Sequence, residues 1–258
     1  MNRIDELFRE KQQDVLNLYY TAGFPELNDT LPVLEGLEAA GADMVEIGIP
    51  FSDSLADGPV IQVANGQALA NGMSLKLLFE QLRDMRKAIR IPVVLMGSLN
   101  PVMQFGMEPF LRTCQETGVD GVILPDLPLE EYERHHAALF AAYGIHAIFL
   151  VTPETNDERL RKIDALSGGF LYAVSSSSTT GKEKNIQHQE AYFKKLRDMD
   201  LHNPVLVGFG IRDHDTFKAA CRHTNGAVIG TAYINLLREH AQDKTAATAA
   251  FIRQIKAT

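Results

Sequence analysis

The chain has 258 residues, 45% of them hydrophobic, and a formal net charge of −8. That is enough apolar material for a sizeable core in one domain spanning 1–258, and the acidic balance without a long basic cluster argues against a nucleic-acid partner. Cys114 and Cys221 are the only cysteines, too few for a disulfide scaffold or a cysteine-based metal site, and no run reaches the roughly 18 apolar residues of a membrane span, so cytoplasmic residence is the expectation.

In chain order, an amphipathic helix near Arg3–Lys11 leads into a strand at Leu16–Thr21, a helix at Leu27–Ala40 and a strand at Met44–Ile49. Helices at Val60–Asn71 and Leu75–Ile89 precede a strand at Pro92–Met96, followed by helix Pro109–Thr117 and strand Gly121–Leu124. Helix Leu129–Tyr143, strand His146–Val151, helix Asp157–Leu166 and strand Gly169–Val174 continue the alternation. Helix His188–Met199, strand Val205–Val207, helix Asp213–Arg222, strand Ala227–Ile229 and two closing helices complete it.

Eight strand–helix units in this length suit an α/β fold with a closed eight-stranded parallel barrel, a TIM barrel, with extra helices at the N- and C-terminal ends. A doubly wound open sheet gives a similar string. The barrel places chemistry at the C-terminal ends of the strands and in the loops that follow them.

The second strand carries the first chemical signal. Met44, Val45, Ile47 and Ile49 read as a buried parallel strand that Glu46 interrupts, and a buried unpaired carboxyl has a raised pKa. The loop after it holds Gly48, Pro50, Asp53, Asp57, Gly58 and Pro59, so two further carboxylates follow in a turn-rich segment. Glu46 is then either the acid of a catalytic mouth or half of an internal ion pair.

Gly208-Phe209-Gly210 after the seventh strand and Gly230-Thr231 after the eighth precede helical stretches. Glycine allows close approach of the backbone, helix N-termini attract anions, and these two loops form the usual phosphate site of the barrel. The polar stretch Ser175–Lys184, tied to the strand carrying Tyr172, reads either as a lid or as a plain surface loop. The histidines show no ligand spacing, and no metal site is expected.

Taken together, VEIGIPFSDSLADGP at Val45–Pro59, YTAGFP at Tyr20–Pro25, GVILPDLPLEE at Gly121–Glu131, TTG at Thr179–Gly181, GFGI at Gly208–Ile211 and VIGTA at Val228–Ala232 resemble the tryptophan synthase α subunit family in family order. The resemblance implies cleavage of indole-3-glycerol phosphate to indole and glyceraldehyde 3-phosphate. It implies Glu46 as general acid/base and Asp57 as the partner of the indole N–H. Tyr19, Leu99, Leu124, Tyr172 and Thr180 would line the substrate site, and Gly181, Gly208, Gly210, Gly230 and Thr231 would hold the phosphate. No cofactor is implied in this chain. Pyridoxal phosphate belongs to the β subunit, the implied partner in an αββα heterotetramer. Ser176, Ser178, Thr231 and Gly97-Ser98-Leu99 differ from residues common in that family.

Overall fold

The computed structural model describes residues 1–55, 57–174, 182–208 and 210–257, with the side chains of 182–189 excepted. The stretch 175–181, which contains Thr180 and Gly181, lies outside the described residues.

Nine parallel strands form one sheet: β1 Val15–Thr21, β2 Met44–Gly48, β3 Val93–Met96, β4 Gly121–Ile123, β5 His146–Ile148, β6 Leu150–Val151, β7 Leu171–Val174, β8 Val205–Gly208 and β9 Gly226–Ile229. Their order is β5-β4-β3-β2-β1-β9-β8-β7-β6, so the two ends of the sheet are consecutive in the chain and the barrel is nearly closed. Eight strands are expected from the sequence, and the difference lies at 146–151. There β5 pairs with β4 and β6 pairs with β7, with Phe149 at the changeover, its carbonyl accepting from the Tyr172 N–H at 3.0 Å.

The helices packed around the barrel begin with α1 Arg3–Glu10, α2 Thr30–Ala40, α3 Pro59–Ala70 and α4 Leu75–Leu82. Next come α5 Leu99–Phe105, α6 Met107–Thr117, α7 Leu129–Glu131, α8 Ala137–Tyr143 and α9 Asp157–Leu166. The set closes with α10 Lys182–Asp198, α11 His214–Cys221, α12 Thr231–Glu239 and α13 Lys244–Lys256. With helices outside and side chains filling the interior, strands are buried on both faces, and all seven residues of β1 and all five of β2 are.

Helix α5 occupies part of what reads as the loop Gly97–Pro101. Pro101 falls in its first turn, where a missing N–H is harmless, and the carboxylate of Asp126, from the next loop, accepts from the Leu99 N–H at 2.8 Å.

One end of the barrel is shut by α1. The Asn2 carboxamide oxygen caps the helix by accepting from the Ile4 N–H at 2.9 Å, while its amide donates to the Asp120 carbonyl, and Arg3 pairs with the Asp120 carboxylate just before β4. Asp5 reaches His146 at the start of β5. These anchors all lie at the N-terminal ends of strands, which leaves the C-terminal ends as the open mouth. Among the described residues no helix is long and apolar enough to cross a membrane.

Candidate active site

Parallel register places Tyr19 of β1 beside Glu46 of β2, and Glu46 beside Val94 of β3. Side chains two apart on a strand share a face, so Asn17 joins Tyr19 on the side that meets Glu46. The Glu46 side chain is fully buried, and its Oε1 accepts from the Asn17 amide Nδ2 at 2.6 Å. Its Oε2 has no hydrogen-bond partner among the described residues. Burial pushes the carboxyl up to about 8, against the hydrogen bond from Asn17, which lowers it. Among the described residues Glu46 has this neutral amide neighbour and no ion-pair partner.

Asp57 sits in the loop before α3. Burial raises its carboxyl above the ordinary value, and hydrogen bonds from Ser54 and Asn65 oppose the rise, the Asn65 amide donating to Oδ2 at 3.3 Å. Asn65 is itself buried on α3 and also donates to the Ser54 hydroxyl at 3.0 Å, so one helix residue fixes both ends of the turn.

Tyr19 and Tyr172 complete the cluster. Burial drives both phenols above their usual range. The charge of Asp57 and then Glu46 adds to this at Tyr19, and Glu46, Tyr19 and Asp57 add to it at Tyr172. Both rings need glycine beneath them: a Cβ at Gly48 would overlap the Tyr19 hydroxyl, and one at Gly208 would overlap the Tyr172 ring.

A cavity of about 400 Å³ lies over this cluster. Tyr19, Asp57 and Tyr172 line one part, and Gly210, Gly230 and Thr231 another, so six residues singled out in the sequence meet in one space. Thr231 is the first residue of the nine-residue α12, with Gly230 as its N-cap and no side-chain cap there, and the N–H groups of a helix start are suited to an anion. Gly210, at φ +78°, turns the chain in the left-handed region at the cavity edge. A second cavity of about 280 Å³ shares Tyr19, Asp57 and Met96 with the first and runs toward Gly97 and Ser98.

Glu46, fully buried, is not itself among the residues lining the cavity but lies in β2 beside Tyr19 of its wall, and three further sequence expectations are placed elsewhere. Gly208 is buried in β8 behind the Tyr172 ring and is not among the residues lining the cavity. Leu124 lines a separate space of about 230 Å³ with Phe149 and Arg159, and Leu99 lies at the start of α5 outside the main cavity. The apolar wall of the main cavity comes instead from Ile61, Met96 and Val228. Sequence reasoning also passed over Asn17, Asn65 and Arg212, the last of which lines the cavity beside Gly210. For Asn17 the signal was present, a polar residue inside an apolar strand.

Comparison with known proteins identifies the family of the chain as a whole. The family model for the tryptophan synthase alpha chain matches residues 6–258. A tryptophan synthase alpha chain of Bacteroides thetaiotaomicron is 54% identical over 240 residues, covering 93% of this chain and 94% of that one. A Bacteroides fragilis alpha chain is 51% identical over 249 residues, 96% of this chain and 95% of its own. Among solved structures, the tryptophan synthase alpha chain of Legionella pneumophila superposes with a TM-score of 0.88 at 33% identity, covering 99% of this chain and 96% of its own. A chain of the tryptophan synthase complex from Pyrococcus furiosus gives 0.85 at 31% identity, covering 95% and 98%. With sequence and barrel fold matched along nearly its whole length, the chain belongs to the tryptophan synthase alpha chain family.

Proposed function

We propose that Glu46 and Asp57 perform the lyase step of tryptophan biosynthesis in this cavity, cleaving indole-3-glycerol phosphate to indole and glyceraldehyde 3-phosphate. The observation that carries the reading is one cavity running from the start of α12 to Asp57 above a buried carboxyl whose pKa lies near neutrality. The phosphate is held by the backbone at Gly210 and Gly230 and by the Thr231 hydroxyl. The indole packs against Ile61, Met96 and Val228, with its N–H toward Asp57. Glu46 gives its proton to ring carbon C3, and the positive charge that develops at the ring nitrogen is stabilised by the Asp57 carboxylate. The resulting iminium accepts the electron pair of the breaking carbon–carbon bond as the glycerol hydroxyl loses its proton to Glu46 and becomes the aldehyde. The ring is its own electron sink, so the step calls for no cofactor in this chain.

The direct test is incubation of the purified chain with indole-3-glycerol phosphate while indole and the triose phosphate are measured. Absence of both products would reject the assignment. Asp57→Asn keeps a hydrogen-bonding group and removes the charge, so kcat is expected to fall by about 10² or more with a smaller change in KM. A change confined to KM would make Asp57 a binding residue only.

The mouth also carries the face for a β subunit in an αββα heterotetramer, the subunit to which pyridoxal phosphate belongs. Leu55, two residues before Asp57, is 89% exposed and Met103 on α5 is 53% exposed, apolar side chains left in solvent on the loop after β2 and on the helix after β3. A partner that favours the closed mouth raises the rate, and coupling of 1–3 kcal/mol corresponds to roughly 5- to 150-fold. Indole formation with and without the β subunit at saturating substrate measures this, and equal rates with docking verified would reject it.

A further inference from the structure

Asn17 stands fully buried in the middle of β1, where every neighbour along the strand is also buried. Its amide Nδ2 donates to Glu46 Oε1 at 2.6 Å, and two atoms of this pair, Asn17 Oδ1 and Glu46 Oε2, are without a hydrogen-bond partner among the described residues. A buried carbonyl oxygen with no donor destabilises the fold, so an apolar side chain would suit this position better. The amide is retained at a cost that packing does not explain.

We propose that Asn17 is a positioning residue for the lyase step, its amide donating to Glu46 Oε1 and so reserving Oε2 for the proton that passes to the indole ring. The inference rests on the acid/base role given to Glu46 above. An oxygen that already accepts a short N–H hydrogen bond is the less basic of the two, so the acid proton resides on Oε2. The Oε2–H bond breaks as the bond from hydrogen to ring carbon C3 forms, and the proton of the glycerol hydroxyl later returns to Oε2. Asn17 suits both stages because a neutral donor can bond either the carbonyl oxygen of the acid or the carboxylate. A lysine or arginine there would hold Glu46 ionised, and an apolar residue would leave burial unopposed. The other titratable groups around Glu46 are Tyr19 on β1, Tyr172 on β7 and Asp57 in the loop after β2, and none of them supplies a positive charge. Of the groups that act on the Glu46 carboxyl, it is Asn17 that draws its pKa down against burial.

The test is a pH titration of the ligand-free chain labelled with carbon-13 at the glutamate carboxyl, the Glu46 signal being assigned by its loss in Glu46→Gln. Both Asn17→Leu and Asn17→Ala remove the donor without adding a charge, the first with the same branched shape and the second with a smaller side chain, so that Ala guards against misfolding of the leucine variant. A hydrogen bond to a charged group corresponds to roughly one to two pH units, so the Glu46 midpoint is expected to move up by that amount in each variant. With substrate, kcat should fall tenfold or more while KM stays within about twofold, and at pH 6 the leucine variant should melt no lower than the parent. An unmoved midpoint in both variants overturns the proposal, whatever happens to turnover, because Asn17 would then be structural. Failure of the parent to release indole would instead reject the lyase assignment, and the midpoints would still report on the pair.

Discussion

Glu46→Gln is expected to lower indole formation by at least about 10² while making the folded chain relatively more stable in alkaline solution. Glutamine keeps the shape, and its carbonyl can still accept from the Asn17 amide, so the pocket survives while the transferable proton is lost. The stability effect follows from linkage. Burial pushes the Glu46 carboxyl up to about 8 in the folded chain against 4.5 for an ordinary glutamate, so its contribution is fully present below about 4.5 and is lost as pH rises through 8. Across that window the unfolded chain ionises this group and the folded chain does not, which weakens the parent by about 1.4 kcal/mol per pH unit. Glutamine has no such dependence. The difference in melting temperature, variant minus parent, should therefore grow from pH 5 to pH 8 and level off above it. A difference that stays flat over that range would mean that Glu46 is ionised in the fold and is not the proton donor.

The same residue shows what the sequence could and could not disclose. A carboxyl interrupting Met44–Ile49 marks itself because parallel strands in a barrel are buried on both faces. Asn17 meets the same criterion in β1, yet its meaning depends on a partner 29 residues away and on parallel register, neither of which a local pattern contains. Periodicity found the alternation of strands and helices because each unit buries its own apolar face. It could not find the break at Phe149, which arises where one run changes its pairing from β4 to β7. Nor could it find α5, whose first N–H is capped by Asp126 from the following loop.

Side-chain direction was the other limit. Leu99 and Leu124 read as indole-packing residues from their position near strand ends, but the cavity wall is made by Ile61, Met96 and Val228. Gly208 and Gly210 read as one phosphate motif, and the structure gives them different tasks. One makes room for the Tyr172 ring and the other borders the cavity. The distinction comes from a contact between β7 and β8, where Val174 pairs with Gly208 and the ring of Tyr172, two residues earlier, packs over it.

That division of labour makes the Gly210→Asp variant the sharpest test of the anion site. Gly210 lines the same cavity as Gly230 and Thr231, and the start of α12, with no side-chain cap at Gly230, offers the positive end of a helix dipole. A carboxylate at position 210 would bring a negative charge toward the phosphate, and at about 4 Å with an effective dielectric near 20 each pair of unit charges costs about 4 kcal/mol. Affinity for the phosphorylated substrate is therefore expected to fall about 10³-fold or more at low salt, and part of the loss should be recovered as salt screens the repulsion. Backbone strain from a side chain at φ +78° is a separate effect, and Gly210→Ala measures it without the charge. Glycerol 3-phosphate, which lacks the indole, isolates the anion site in a melting experiment, because a ligand stabilises a fold in proportion to RT ln(1 + [L]/Kd). It should raise the melting temperature of the parent, raise that of Gly210→Ala less, and leave Gly210→Asp unmoved. Equal protection of the parent and the aspartate variant would place the phosphate away from Gly210 and would separate the turn after β8 from the helix start after β9.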